Sequence, residues 1–164
     1  MEARAKLLGH PIHQMLIVLP LGLLTGAFLF DMVHIITDSA RWAEIAYWLI
    51  VAGLLGGVLA AVFGVVDWLA IPRETRAWRI GAWHGAGNVV VLALFTISWA
   101  MRRGDPLAPD GGAIVLSSVA IVIAMVTGWL GGELVDRLGV GVTTDAHLNA
   151  PSSLTRRSVD PGPR

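Results

Sequence analysis

Four long stretches of the sequence contain no Asp, Glu, Lys or Arg, and this feature restricts the fold more than any other. Each stretch is 22 to 24 residues long, whereas about 20 helical residues cross the hydrocarbon core of a bilayer. Buried helices of soluble proteins usually carry a polar stripe, which these stretches lack. The sequence therefore predicts four membrane-spanning helices over Leu7–Phe30, Ile45–Val66, Ile80–Met101 and Gly111–Gly132.

The composition agrees with a membrane location and excludes several classes of function. Of the 164 residues, 55% are hydrophobic and 15% are charged, against about 25% charged residues in soluble domains. The net charge is zero, so the chain has no general attraction to nucleic acid. Because cysteine is absent, the chain itself has no disulfide, thiolate metal ligand, cysteine-bound iron–sulfur cluster or thiol nucleophile.

Short polar links join the four stretches, and they favour antiparallel neighbours. We therefore expect an all-α, up-down-up-down transmembrane four-helix bundle over residues 1–142. Residues 143–164 are polar and rich in Pro, Ser and Arg, so we expect a disordered tail. Each stretch also carries a Gly-x-x-x-Gly pair, which favours close helix packing and offers faces for oligomerisation; the pairs are Gly22/Gly26, Gly53/Gly57, Gly81/Gly85 and Gly128/Gly132.

The distribution of Lys and Arg predicts the orientation of the bundle. Nine of these residues fall on the side of the two termini and three on the opposite side. Because positive residues accumulate on the cytoplasmic side, both termini are predicted to be cytoplasmic. The first apolar stretch is too long for a cleaved signal peptide and no A-x-A site follows it, so we expect an uncleaved anchor.

Ionisable side chains inside a membrane span are costly and usually face the interior of the bundle. The apolar residues continue to Ile71 after the second stretch. Asp67 lies four residues before Ile71 and His84 lies four residues after Ile80, so each lies about 6 Å from its helix end. His10, His13 and Glu133 lie close to the same level. The sequence therefore predicts that all four helices contribute a polar side chain to one pocket near the cytoplasmic side.

The spacing of these residues adds two expectations. His84 and Asn88 are four apart on one helix face, so Asn88 can fix the tautomer of His84. Each half of the chain places a histidine near the start of one helix and a carboxylate near the end of the next, which suggests a duplicated hairpin. Asp31 and His34 near the outer end of the first helix are expected to meet water or an outer arginine.

Several of these motifs resemble the bacterial domain-of-unknown-function family 2231 of predicted membrane proteins. The similar segments are GHPIH at 9–13, WHGAGN at 83–88 and GWLGGELVDRLGVGV at 128–142, together with Asp67. The resemblance covers roughly Leu7–Val142 and implies a bacterial inner-membrane location. Some family members are fused to Rieske-type iron–sulfur domains, which implies an iron–sulfur or other electron-transfer partner. Two positions depart from the family pattern, because Gln14 replaces a frequent proline and Leu138 a frequent histidine.

Four interpretations of the polar residues stay open. Haem could be held by two axial histidines, His13 and His84, with Asn88 behind one of them. The same side chains could instead form a satisfied polar network without chemistry, or a proton or ion path. A divalent transition metal is the fourth interpretation, because imidazole and carboxylate suit Zn, Fe, Mn or Cu; its candidate ligands are His10, His13, Asp67, His84 and Glu133.

Overall fold

The computed structural model describes residues 1–155, and these residues form an almost entirely helical protein. The predicted all-α class is confirmed. The elements are a two-stranded antiparallel ladder, five α-helices and a closing π-helical turn. Their bounds are β1 Lys6–Leu7, β2 His10–Pro11, α1 Ile12–Leu16, α2 Val18–Thr37, α3 Ala40–Leu69, α4 Arg76–Arg102, α5 Gly111–Gly132 and the π-helical turn Glu133–Arg137.

These helices make four segments that are long and apolar enough to span a membrane, as the sequence predicted: Ile12–Thr37, Ala40–Leu69, Arg76–Arg102 and Gly111–Arg137. The first span consists of α1 and α2, which are interrupted at Ile17. This break follows from Pro20, because proline has no N–H for the carbonyl of the residue four positions earlier.

The ends of the spans have local causes in the sequence. Thr75 caps α4, since its hydroxyl accepts a hydrogen bond of 3.1 Å from the backbone N–H of Trp78. Asp110 caps α5 through the N–H of Gly112 at 2.7 Å. Such side-chain oxygens satisfy amides that have no partner in the first helical turn. At the end of α2, Asp38 takes the left-handed conformation and turns the chain into α3.

The spans pack as two antiparallel hairpins, α2 against α3 and α4 against α5, and α3 joins the hairpins by packing against α4. Small side chains keep the helices close. A methyl group on Gly53 would lie 2.6 Å from Leu24, and one on Gly57 would lie 2.6 Å from Leu92. The Gly53/Gly57 pair therefore serves packing inside the chain, whereas Gly22, Gly85, Gly128 and Gly132 face open space.

Both terminal segments fold against the same end of the bundle, which we call the termini side. β1 and β2 form a small hairpin whose turn holds Leu8 and Gly9 at positive φ angles. The backbone N–H of Gly141 donates to the carbonyl of Met1 at 2.8 Å, which joins the two segments. Of the tail predicted over 143–164, residues 143–155 contain no helix or strand, and 156–164 lie outside the described residues.

A fully buried polar cluster lies toward the opposite end of the bundle. The guanidinium of Arg102 donates to both oxygens of Asp31, at 2.6 and 2.8 Å. It also reaches the hydroxyls of Ser98 and Ser117, each at 3.3 Å. All four side chains are 0% exposed. We call these residues the far-side network. The sequence analysis expected Asp31 to meet water or an outer arginine, and its partner is Arg102 in the last turn of α4.

Candidate functional site

His13 lies in the first helical turn after Pro11, and its ring rests against the second span. Its Nδ1 is 2.8 Å from the carbonyl oxygen of Ala60 in α3. Gly64, one turn further along α3, makes room for the ring, because a methyl group there would lie 2.9 Å from His13 Cε1 and Nδ1. A carbonyl and a glycine of the neighbouring helix therefore fix the position of His13.

His84 is held in the same way in the other hairpin. Its Nδ1 is 2.8 Å from the carbonyl oxygen of Thr127 in α5. Gly131, again one turn further along, lies against the ring, and a methyl group there would be 3.0 Å from His84 Cε1. In both hairpins the accepting carbonyl thus lies four residues before the glycine that accommodates the imidazole. This repeated arrangement supports the duplicated hairpin that the sequence suggested.

The two imidazoles meet between the hairpins. Their ring centroids are 6.4 Å apart and the ring planes are nearly perpendicular, at 89°. Both side chains are half-buried. The predicted proximity of His13 and His84 is therefore present in the structure, and it joins the first span to the third.

The hydrogen bonds determine which ring nitrogen carries the proton. A carbonyl oxygen can only accept, so Nδ1 of each histidine is the protonated nitrogen of the neutral ring. Nε2 then carries a lone pair. On His84 this lone pair faces the side-chain amide of Asn88, whose Nδ2 lies 3.2 Å away. The expected role of Asn88 in fixing the tautomer of His84 agrees with this geometry.

The carboxylates predicted for the same pocket lie elsewhere. Asp67 accepts the backbone N–H groups of Arg4 at 2.7 Å and Ala5 at 3.1 Å, so it anchors the N-terminal segment. Glu133 pairs with Arg76 at 2.6 Å. His10 lies in β2, with its Nε2 3.3 Å from the hydroxyl of Ser153. Each of these three side chains is therefore directed to a partner other than the two imidazoles.

Within residues 1–155, no group of three or more His, Asp or Glu side chains is arranged to hold a metal ion. The predicted five-residue pocket is therefore reduced to the pair His13 and His84, with Asn88 beside it. Gly64, Gly131 and Thr127, whose hydroxyl lies 3.2 Å from Asn88 Oδ1, were not predicted from the sequence. The recurrence of glycine near the end of the second and fourth spans was the available signal.

A family comparison agrees with this architecture. The family model described as predicted membrane protein, DUF2231, matches residues 9–144. The chain belongs to this family. The DUF2231 match includes both histidines and all four spans, so the resemblance and the membrane-protein class inferred from the sequence are confirmed. The family description names no activity. No curated protein and no solved structure matches the chain.

Proposed function

We propose that this DUF2231 protein binds a metal centre between His13 and His84, that the centre is a b-type haem, and that it carries single electrons within the membrane. One observation carries the proposal: two imidazoles lie with centroids 6.4 Å apart, and each is anchored through Nδ1 to a main-chain carbonyl.

The anchoring supports metal binding. Histidines that bind metals almost always donate their other ring N–H to a carbonyl, a carboxylate or water. That bond selects the tautomer with a lone pair on Nε2 and fixes the orientation of the ring. His34 has the same kind of anchor, so the support comes from the proximity of two anchored rings, His13 and His84, with centroids 6.4 Å apart. Here the anchor recurs on two spans that face each other.

The number of ligands favours haem over a bare ion. Zinc and similar ions take about four protein or water ligands, whereas haem iron needs only the two axial positions, which a pair of histidines can fill. Asp67 and Glu133 are engaged in other contacts and are not needed.

The spacing of the rings is also suitable. With a metal–nitrogen bond of about 2 Å from each ring, His13 and His84, whose centroids are 6.4 Å apart, would both be able to reach one metal atom between them. Gly85 and Gly132, next in sequence to His84 and Gly131, face open space. Glycine at these positions supports the approach of a flat macrocycle to the helices.

Electron transfer follows from the chemistry of such a group. A haem held by His13 and His84 would supply one-electron transfer, because its iron would gain or lose one electron. The chain contains no cysteine, so a second redox centre of the iron–sulfur type belongs to a partner. We propose an iron–sulfur or other electron-transfer protein as the partner and the lipid bilayer as the surroundings.

The proposed location is a bacterial inner membrane with both termini in the cytoplasm. Support comes from the excess of Lys and Arg on the termini side. In this orientation the histidine pair exchanges electrons with cytoplasmic partners. Reporter fusions at the C-terminus and in the link Arg103–Asp110 test it, since only the link fusion should become accessible from outside the cell.

The deciding experiment is expression with ample iron and haem precursor, purification in detergent, a visible spectrum and a metal analysis. We expect a Soret band and a low-spin spectrum typical of two histidine ligands. His13→Ala and His84→Ala should each abolish that six-coordinate spectrum. His34→Ala is the matched control, because His34 also directs Nδ1 to a carbonyl, that of Ser39 at 3.0 Å, but lies toward the opposite end.

Each alternative result contradicts the haem assignment in a different way. Stoichiometric zinc, iron, manganese or copper without a Soret band would replace haem by a metal ion. Well-folded protein with neither metal nor haem would leave the polar-network interpretation. A spectrum that persists unchanged in both histidine variants would place the haem elsewhere.

A further inference from the structure

The two halves of the histidine site are not equivalent, although their hairpins repeat the same arrangement. Four residues after His84, on the same helix face, the chain has Asn88; four residues after His13 it has Ile17. The accepting carbonyl belongs to Thr127 in one hairpin and to Ala60 in the other. The second hairpin therefore has two polar side chains where the first has none.

These two side chains act together on His84. Asn88 Nδ2 lies 3.2 Å from His84 Nε2 and also donates to the carbonyl of His84 at 2.9 Å. The hydroxyl of Thr127 lies 3.2 Å from Asn88 Oδ1 and 3.0 Å from the carbonyl oxygen of Ala124, so its one proton is shared between these two acceptors. Because Nδ1 of His84 is the protonated nitrogen, its Nε2 lone pair accepts from Asn88.

His13 has no such neighbour. Its Nδ1 bond to Ala60 is the one hydrogen bond recorded for its ring among residues 1–155. Its Nε2 lone pair has no protein donor there, so a metal centre would meet no competitor on this side. On the His84 side, a metal would have to replace a hydrogen bond from Asn88.

We propose that His13 is the permanent ligand of the centre and His84 the exchangeable one, so that the site binds a small neutral diatomic molecule on the His84 side. This inference rests on the proposed function. When His84 is displaced, its Nε2 regains the Asn88 hydrogen bond, which lowers the cost of displacement. Asn88 acts through His84 and is a positioning residue.

The first test measures the imidazoles without any metal. In apoprotein labelled with ¹⁵N-histidine, both rings should show a protonated Nδ1. His84 Nε2 should show the chemical shift of a hydrogen-bonded acceptor and His13 Nε2 that of a free one. Asn88→Ile copies the residue at the equivalent position of the first hairpin and should move only the His84 Nε2 signal toward the free value. Thr96→Val, a polar-to-apolar change on the same helix, is the control.

The second test uses carbon monoxide as the probe on haem-loaded protein reduced with dithionite. Wild-type protein should bind carbon monoxide with loss of one histidine ligand. Asn88→Ile should bind it about fivefold more weakly, the equivalent of one ordinary hydrogen bond. His84→Ala should retain a five-coordinate haem and bind carbon monoxide more tightly, whereas His13→Ala should lose the haem.

The results separate this inference from the proposed function. If haem binds but carbon monoxide does not, or binds equally to wild type and Asn88→Ile, the histidines are equivalent and only this inference fails. Equal Nε2 shifts for the two rings in the apoprotein would overturn it as well. If no haem binds, the proposed function fails and this inference with it, whatever the apoprotein signals show.

Discussion

The far-side network and the histidine pair are both polar groups inside a membrane bundle, but they satisfy their hydrogen bonds to different extents. In the far-side network Arg102 and Asp31 exchange two hydrogen bonds and two serine hydroxyls complete the cluster, with 0% exposure throughout. The histidines are half-buried, and each makes one bond to a backbone carbonyl. A fully satisfied cluster has little capacity for a ligand, whereas a lone pair on an anchored ring keeps that capacity.

The far-side network therefore has a structural role, whereas the histidine pair keeps a ring nitrogen that could bind a ligand. Desolvating a buried ion pair costs about as much as its attraction returns, so such a pair adds little net stability. It does fix which helix faces meet, because either partner alone would be a buried, uncompensated charge. The far-side network links α2, α4 and α5 in this way. Among the described residues, the two imidazoles hydrogen-bond with backbone carbonyls and the Asn88 amide and with no charged side chain.

The largest expected effect comes from breaking the far-side network. Arg102→Met leaves the Asp31 carboxylate buried without its partner, so we expect a loss of about 3–5 kcal/mol in the free energy of unfolding. Equilibrium unfolding in mixed micelles measures it. The double variant Asp31→Leu/Arg102→Met should recover most of the loss, because it removes both charges together.

The neighbouring Arg103 provides the control for this experiment. Its guanidinium lies over the ring of Trp99, 5.3 Å from the centroid, and it has no recorded ion pair among the described residues. Arg103→Met should cost about 1 kcal/mol or less. Equal losses of unfolding free energy in Arg102→Met and Arg103→Met would show that the buried ion pair does not stabilise the far-side network.

The next largest effect concerns the glycines behind the two histidines. Gly64→Ala and Gly131→Ala place a methyl group 2.9 and 3.0 Å from the imidazoles, so each ring must move. We expect a loss of about 1–3 kcal/mol by overpacking and a weaker bond from Nδ1 to its carbonyl. Thermal unfolding measures the first effect, and ¹⁵N-histidine spectra measure the second.

Gly128→Ala and Gly22→Ala are matched controls, because nothing lies within 4 Å of the added methyl group. Alanine is the better helix former by about 1 kcal/mol, so both controls should be neutral or slightly stabilising. If Gly64→Ala and Gly131→Ala behaved like these controls, the histidines would not be held against the neighbouring helices as the structure shows.

The sequence predicted the spans but not the directions of the polar side chains. Depth follows from a rise of 1.5 Å per residue, which needs no knowledge of packing. Direction around the axis needs an apolar stripe that marks the buried face, and spans that are apolar all round provide none. Asp67 and Glu133 were therefore assigned to the pocket of the two histidines, whereas their side chains contact the N-terminal segment and Arg76. Their partners, backbone amides of the N-terminal segment and Arg76, could not be identified from periodicity.

A smaller effect is expected when these two carboxylates are changed. Asp67→Asn keeps an acceptor for the amides of Arg4 and Ala5 but loses the charge, so stability should fall by about 1 kcal/mol. Glu133→Gln affects a pair whose arginine is about half exposed, and the cost should be under about 1 kcal/mol. Neither variant should change the metal or haem content. Loss of metal or haem in either variant would show that its carboxylate takes part in the binding site.

The smallest effect is expected at Glu2, far from both polar clusters. A hydrogen bond from Lys6, and then one from Thr143, lowers the pKa of the Glu2 carboxyl from its ordinary 4.5. A lowered pKa in the folded state means that this contact contributes stability above pH 4.5, which is lost as the pH falls through the lower folded value. Backbone amide exchange near Thr143 should therefore accelerate only below pH 4.5. Glu2→Gln should remove this pH dependence and leave the histidine signals unchanged, because Glu2 lies in the exposed N-terminal segment.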